Sequence, residues 1–350
     1  MTPMKVLITG HTGFKGAWLS LILAQRGHEV SGLALDPVPG GLYESARLAE
    51  IMTHDFRVDI RDASETTSAV AEANADVIFH MAAQPLVRES YADPRGTIET
   101  NVNGTMNVLD AVAGTTNARA LVVVTTDKVY RNVSQLEGYV EDDPLGGDDP
   151  YSASKSMADI LTQSWVKSFA GVPTSIARAG NVIGGGDASK DRLIVDLVRG
   201  FVDDRPVAIR YPEAVRPWQH VLDCLSGYLS LAGAMLEGRG DGAWNFGPDP
   251  GSFQTVRQIA DAAVAMWGEG ASWIDDSGDH PHEAQLLTLD SRKAQSELAW
   301  RNALAFPVSL RWTIDWYRAA ADDADPRALT LAQIDDFCAL PESAGWQRHF

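Results

Sequence analysis

Cysteine is nearly absent: only Cys224 and Cys338 occur in 350 residues. They lie far apart, without Cys-x-x-Cys or Cys/His spacing, so neither a disulfide framework nor a structural zinc is expected. Both read as buried small hydrophobes. No metal site is expected elsewhere, because His80, His220 and His282 are scattered and read as structural. Basic charge is also scarce, with 29 Lys and Arg against 47 Asp and Glu and a formal charge of −18. With no Lys/Arg cluster, neither nucleic acid nor an anionic membrane is an expected partner. Long apolar runs are missing too. The longest, near Leu19 to Ala24, is far too short to cross a bilayer, and MTPMKVLITG leads into a strand and not into a signal-peptide core. A cytoplasmic protein is expected.

The chain does have 45% hydrophobic residues, enough to bury a large core as one big domain or two intimate ones. From Lys5 to Ala179, short apolar runs alternate with longer amphipathic segments. The strands are expected at 5–9, 29–35, 54–60, 76–82, 120–125 and 173–179. This rhythm predicts an α/β fold with a doubly wound parallel, Rossmann-like sheet. Beyond Asn181 the rhythm loosens: Gly184-Gly185-Gly186 opens a loop, a helix follows over 192–201, and short strands mix with helices. Residues 1–180 are therefore read as a cofactor domain and 181–350 as a second, smaller α/β lobe for substrate, with 220–246 a candidate to return to the first. Trp218 and Trp244 read as core.

Gly10, Gly13 and Gly16 in "TGHTGFKGAWLSLIL" stand between the first strand and the first helix. There, glycines permit a tight turn, let backbone approach a pyrophosphate and leave helix N–H groups free to bind it. Three glycines alone would be only a turn; the position after strand one makes them a dinucleotide site. Asp36 follows Gly16 by 20 residues at the end of the second strand, where a carboxylate accepts from the adenosine ribose and repels a 2′-phosphate. NAD is expected over NADP. A plain strand-end turn before Pro37 is the competing reading of Asp36. Asp59 and Ile60, after the third strand, are candidates for adenine, or else a solvated strand end.

"DDPYSASKSMAD" places Tyr151 and Lys155 at i, i+4 on one helix face. A lysine charge beside a tyrosine favours the phenolate and makes it a usable base. Such a pair also occurs by chance on helix surfaces, but here it falls between the fifth and sixth strands, where ligands of open α/β sheets collect. Thr126 sits at the same sheet edge as a hydrogen-bond donor, with a turn cap as its alternative. The most unusual feature is "VTTDKVY", in which a buried strand ends in Asp127 and Lys128, an acid and an amine side by side. A surface ion pair is the ordinary reading of such neighbours. For both to act at one site, the chain must leave the sheet there, because adjacent strand residues face opposite ways.

The motifs "TGHTGFKG", "FHMAAQPLVRESYADP", "TTDKVY", "DPYSASK", "RAGNVIGGGD" and "VRPWQHV" together resemble the extended short-chain dehydrogenases/reductases and, within them, the CDP-glucose 4,6-dehydratases. The likeness spans about three quarters of the chain and continues at Asp290-Ser291-Arg292-Lys293. It implies a lyase of deoxysugar biosynthesis that works by internal redox: Tyr151 takes the O4 proton as C4 is oxidised with NAD, Thr126 bonds O4, and Lys155 holds the nicotinamide ribose. Asp127 is implied as the acid for the C6 hydroxyl. Lys128 stands where dTDP-glucose 4,6-dehydratases carry a glutamate base, which leaves the C5 base open. Phe14, Lys15, Ala82 and Ala83 are implied at the cofactor. Gln84, Asn181, Arg192 and Arg216 are implied at the nucleoside-diphosphate sugar, although either arginine could instead pair with acids such as Asp191 or Glu213. A homodimer through 94–113 and 151–170 is implied. A sugar-nucleotide 4-epimerase, a dehydratase for another nucleotide and a non-catalytic NAD-binding regulator are the rival readings.

Overall fold

The protein is described by a computed structural model covering residues 2–135, 137–169, 171–249, 252–276, 278 and 287–350. His282, Ala170 and Leu136 lie outside the described residues. The strands are β1 (Lys5–Thr9), β2 (Glu29–Ala34), β3 (His54–Arg57), β4 (Val77–His80), β5 (Ala120–Val124), β6 (Thr174–Ala179), β7 (Asn181–Ile183), β8 (Val207–Ile209), β9 (Val215–His220), β10 (Gly242–Phe246), β11 (Phe253–Thr255) and β12 (Trp273–Asp275).

Seven strands form one parallel sheet in the order β3-β2-β1-β4-β5-β6-β10. This is the doubly wound, Rossmann-like arrangement, and its order reverses between β1 and β4. Alternation along each strand explains why it is covered on both faces. Val6 and Ile8 of β1, Val77 and Phe79 of β4 and Val122 and Val124 of β5 pack on the helices Phe14–Gln25 and Val221–Leu236. Leu7, Ile78, Leu121 and Val123 point to the opposite face, against the helices Ala63–Ala73 and Gly104–Ala113. The Val221–Leu236 helix is followed by β10, which pairs in parallel with β6.

The third strand is shorter than its sequence pattern, which ran to residue 60. Asp59 accepts from the Arg61 backbone N–H at 2.9 Å, and this local turn ends the ladder at Arg57. Cys224 is buried as expected, but Cys338 is only half-buried because it sits near the end of the surface helix Pro326–Cys338. Trp244 is core. Trp218 is buried too, yet one side of it borders the cavity described below.

Beyond β6, β7, β9 and β11 form a small mixed sheet, and β8 pairs with β12. The helices Leu193–Val202, Val256–Trp267 and Phe306–Ala321 close over these strands around Leu197, Phe201, Ile259, Leu310 and Ile314. The Trp18 indole N–H donates to the Gly185 carbonyl at 2.9 Å, tying the first helix to the loop after β7. A cavity of about 1080 Å³ opens along the carboxyl ends of the parallel strands, between the sheet and the small lobe.

Candidate active site

One end of the cavity is built by the glycine loop at the point where the sheet order reverses. Gly10 has φ +80°, and a Cβ there would lie 2.8 Å from the Ala82 nitrogen, so only glycine lets β1 and β4 end this close together. A Cβ on Gly16 would lie 2.2 Å from the Gly10 carbonyl oxygen. The helix Phe14–Gln25 has no side-chain cap and no acid in its first turn, so its N–H groups remain available to an anion. Thr9 braces the neighbouring strand end: its hydroxyl accepts from the Met81 and Ala82 N–H groups at 3.1 Å and meets His80 Nδ1 at 2.8 Å. His80 Nε2 lies 2.9 Å from Thr105, and burial pushes this imidazole down to about 3, which keeps it neutral and structural.

Gly10, Gly13, Phe14, Lys15, Gly16, Asp59, Ile60, Ala82 and Ala83 line this end of the cavity. Asp36 does not. Its carboxylate is almost fully exposed at the strand end and lies 3.6 Å from Arg57 Nε. Arg57 itself is held by Asp55 and the Tyr43 hydroxyl.

The chain does leave the sheet after β5. Asp127–Val129 form a short 3-10 turn whose cap is Thr126, and Thr126, Asp127 and Lys128 all face the cavity. The Thr126 hydroxyl donates to Asp127 Oδ1 at 2.8 Å, and Lys128 Nζ donates to the same oxygen at 3.2 Å. Asp127 is 1% exposed, whereas the Lys128 side chain reaches the cavity opening.

Opposite this turn stands the helix Pro150–Ser168. Asp149 caps it by accepting from the Ser152 N–H, and Pro150 takes the first position, where no N–H is needed. Tyr151 therefore begins the helix at the cavity wall. Burial raises its phenol to about 12, while the Arg192 charge and hydrogen bonding with Thr126 pull it back down. The cation acting most strongly on the phenol is thus Arg192. Lys155 turns away and donates to the Val124 carbonyl at 3.1 Å, behind the wall, where burial and the Lys15 charge pull its ammonium down to about 7. Lys15 is held by the Tyr228 hydroxyl at 3.1 Å.

Asn181, Arg192 and Arg216 line the small-lobe side of the cavity. Among the described residues Arg192 forms no ion pair; Asp191 pairs instead with Arg88 at 3.1 Å and with Arg210 at 3.8 Å. Gln84 differs from expectation. Its amide donates to Thr97 Oγ1 at 2.8 Å and accepts from the Leu86 N–H, while its own backbone N–H meets Asn101 at 2.8 Å, so its side chain is absent from the cavity wall. Asn101 lies in the π-helical turn Glu99–Asn103 and also donates to Ser154 Oγ at 2.8 Å, linking that segment to the helix of Tyr151. Sequence reading missed Arg88, Arg210 and Asp196 on the wall. Only Arg88 carried a visible signal, as part of the motif FHMAAQPLVRESYADP. Among the described residues, no three of His, Cys, Asp and Glu gather as metal ligands would.

Residues 6–247 match the model of the NAD dependent epimerase/dehydratase family. The chain is 43% identical over 344 residues to a CDP-glucose 4,6-dehydratase of Salmonella typhimurium, covering 95% of this chain and 96% of that one. It is 30% identical over 328 residues to a dTDP-glucose 4,6-dehydratase of Streptomyces antibioticus, covering 90% and 92%. Among solved structures, a dTDP-glucose 4,6-dehydratase from Streptomyces venezuelae with NAD bound superposes with a TM-score of 0.77 at 27% identity, covering 93% of this chain and all of that one.

Proposed function

The chain belongs to the NAD dependent epimerase/dehydratase family, and from that premise we propose that it dehydrates CDP-glucose to CDP-4-keto-6-deoxyglucose. It is an NAD-dependent enzyme, a hydro-lyase acting on a nucleotide sugar. The observation that carries the reading is the buried Asp127 carboxylate on the cavity wall, beside Thr126 and across from Tyr151. A 4-epimerase needs a base for O4 but has no hydroxyl to expel, so it has no use for an acid there. The bare Gly10–Gly16 loop and the uncapped helix after it fit a pyrophosphate; with Phe14, Ala82, Ala83, Asp59 and Ile60 they would hold the cofactor, whereas Asp36, exposed beside Arg57, and Lys155, on the Val124 carbonyl, would have to turn toward its two riboses to bind them. Bound there, NAD supplies a reversible hydride acceptor that takes hydrogen from C4 and returns it at C6.

The chain's own groups move the protons. Tyr151 removes the O4 proton, with Thr126 hydrogen-bonded to that oxygen and the Arg192 charge favouring the phenolate, and Lys155 would hold the cofactor ribose once its ammonium leaves the Val124 carbonyl. The ketone formed at C4 acidifies C5–H. Lys128 takes that proton or lowers the charge cost of its removal, and Asp127 protonates the C6 hydroxyl, so the C6–O bond breaks and water leaves. The proton on Lys128 returns to C5 as C6 is reduced; C4 remains a ketone, so the O4 proton held on Tyr151 replaces, by way of solvent, the one that Asp127 lost in the departing water. The only net change is the loss of one water. Arg192, Arg216 and Asn181 face the diphosphate; guanidinium forks match its geometry. Gln84 contributes by bracing the Ala82–Leu86 bend against Asn101.

We also read the molecule as a cofactor domain of 1–180 joined by 220–246, with the rest of 181–350 as the nucleotide-sugar lobe. A homodimer is supported by the exposed apolar Ile98, Met106, Met157 and Ile160 on two adjoining helical segments. Light scattering should give twice the chain mass, falling to one on Ile160→Glu. A cytoplasmic location agrees with two free cysteines and, among the described residues, no helix long and apolar enough to cross a membrane. The test of function is incubation with CDP-, dTDP-, UDP- and GDP-glucose, following the alkaline absorbance of a 4-keto product. Product from CDP-glucose is expected, and its absence there would overturn the proposal.

A further inference from the structure

Beneath the cavity floor lies a charged network that no step above uses. Arg178 of β6 and Asp159 of the Pro150–Ser168 helix form an ion pair in which both side chains are essentially inaccessible to water. The pairing is bidentate: Arg178 Nε donates to Asp159 Oδ2 and Nη2 to Oδ1, each at 2.8 Å. The Thr125 hydroxyl donates to Asp159 Oδ2 at 3.0 Å. The remaining guanidinium nitrogen, Nη1, donates to the Tyr130 hydroxyl at 2.7 Å and to the Glu141 carbonyl at 2.9 Å. Tyr130 in turn donates to Asn245 of β10 at 2.8 Å.

The placement of these partners is what matters. Thr125 immediately precedes Thr126, and Tyr130 immediately follows the Asp127–Val129 turn, so one ion pair holds that turn at both ends. Asp159 lies four residues after Lys155 and eight after Tyr151, on the same helix face. A single buried contact therefore connects the segment carrying the acid to the helix carrying the base. Buried ion pairs are weak contributors to stability, and apolar residues of similar volume often serve as well. A pair with this geometry is better explained by alignment than by stability.

We propose that Arg178 and Asp159 are positioning residues that set the Asp127 turn against the Tyr151 helix, so that elimination at C5 and C6 follows oxidation at C4 within one bound sugar. The inference rests on the dehydratase reading. Wild-type conversion of CDP-glucose to the 4-keto product tests that reading by itself, whereas the inference is tested by how the variants divide the reaction relative to wild type. Three variants serve: Tyr130→Phe, which removes one hydroxyl; Arg178→Lys, which keeps the charge but not the fork; and the double change Arg178→Met with Asp159→Leu, which replaces the pair by apolar volume.

Each is followed in single turnover by absorbance at the reduced-cofactor band and by solvent deuterium entering C5, with a thermal melt alongside. The expected result is C4 oxidation at close to the wild-type rate, with elimination slowed roughly 10-fold or more, so that the absorbance accumulates; a displacement on the order of 1 Å is enough for such a loss. The double variant should melt near wild type and still show the defect. If Tyr130→Phe and the double variant are folded and divide the two steps as wild type does, the pair only supports the fold and the inference fails.

Discussion

Lys128 Nζ lies 3.2 Å from the Asp127 carboxylate, on a turn that carries both residues out of the sheet and onto one cavity wall. Because Thr126 donates to the same oxygen, Oδ1, the other oxygen is left for the sugar. That oxygen faces Gly180, where an added Cβ would come within 3.0 Å of it. One carboxylate is thus fixed in place by a hydroxyl and an ammonium on one oxygen, leaving the other without a side-chain donor among the described residues.

This geometry separates two half-reactions. Asp127→Asn and Lys128→Met should still oxidise C4, since that step belongs to Tyr151, and should stall before water leaves. Single-turnover absorbance at the reduced-cofactor band would rise and persist in both variants. Deuterium incorporation at C5 distinguishes them: it should continue in Asp127→Asn and fall in Lys128→Met. If Lys128→Met exchanges at the wild-type rate, the C5 base lies elsewhere and the lysine is only an electrostatic neighbour.

Tyr151→Phe should remove the proton acceptor while keeping the ring packed at the start of its helix. Turnover should drop roughly 10²-fold or more, with the melting temperature and NAD affinity close to wild type. No absorbance change on adding CDP-glucose is expected, in contrast to the Asp127 and Lys128 variants. Near-normal turnover would remove Tyr151 from its role.

Much of this was legible in the sequence, for identifiable reasons. The parallel sheet showed itself because strands buried on both faces read as continuous apolar runs, and β5 is the plainest case. The glycine loop and the Tyr151/Lys155 pair were visible because their spacing is local. What stayed hidden depends on approach between distant segments. Nothing near Gln84 signals that Thr97 and Leu86 occupy its amide. The Arg178–Asp159 pair joins residues 19 apart on a strand and a helix, with no periodicity to reveal it. Likewise, i, i+4 spacing suggests that Lys155 faces the Tyr151 phenol, whereas the ammonium reaches back to a β5 carbonyl and Arg192 supplies the nearer influence.

Gly16→Ala should damage the cofactor site through sterics alone. The added carbon would stand 2.2 Å from the Gly10 carbonyl oxygen and 2.7 Å from the His11 Cα, both backbone atoms that cannot rotate away. Overpacking of this kind costs about 1–3 kcal/mol and would shift the loop. A lower melting temperature and at least 10-fold weaker NAD binding by fluorescence titration are expected. Unchanged binding would mean that the helix N-terminus can move without loss of the site.

The last prediction concerns pH and Lys155. An unperturbed lysine titrates near ~10.4, whereas burial, with help from Lys15, lowers this one to about 7 in the folded chain. Between those values the unfolded chain holds a proton that the folded chain lacks, so this group makes the protein more stable as pH rises from about 7 toward 10. Below about 7 the cost of the buried ammonium is fully present. Cofactor binding should run the opposite way. The ammonium is the form that can donate to ribose hydroxyls and sit beside a pyrophosphate, so NAD should bind the protonated enzyme more tightly and draw a proton onto Lys155. In cofactor-free protein, NAD affinity should therefore weaken as pH rises through 7, approaching about 10-fold per pH unit. Calorimetry in buffers of different ionisation enthalpy should register proton uptake near pH ~8. Lys155→Met should bind NAD more weakly, with no uptake and a flat pH dependence over the same range. Wild-type affinity that is equally flat, without proton uptake, would mean that Lys155 stays in one protonation state throughout and that its ammonium is not what recognises the cofactor.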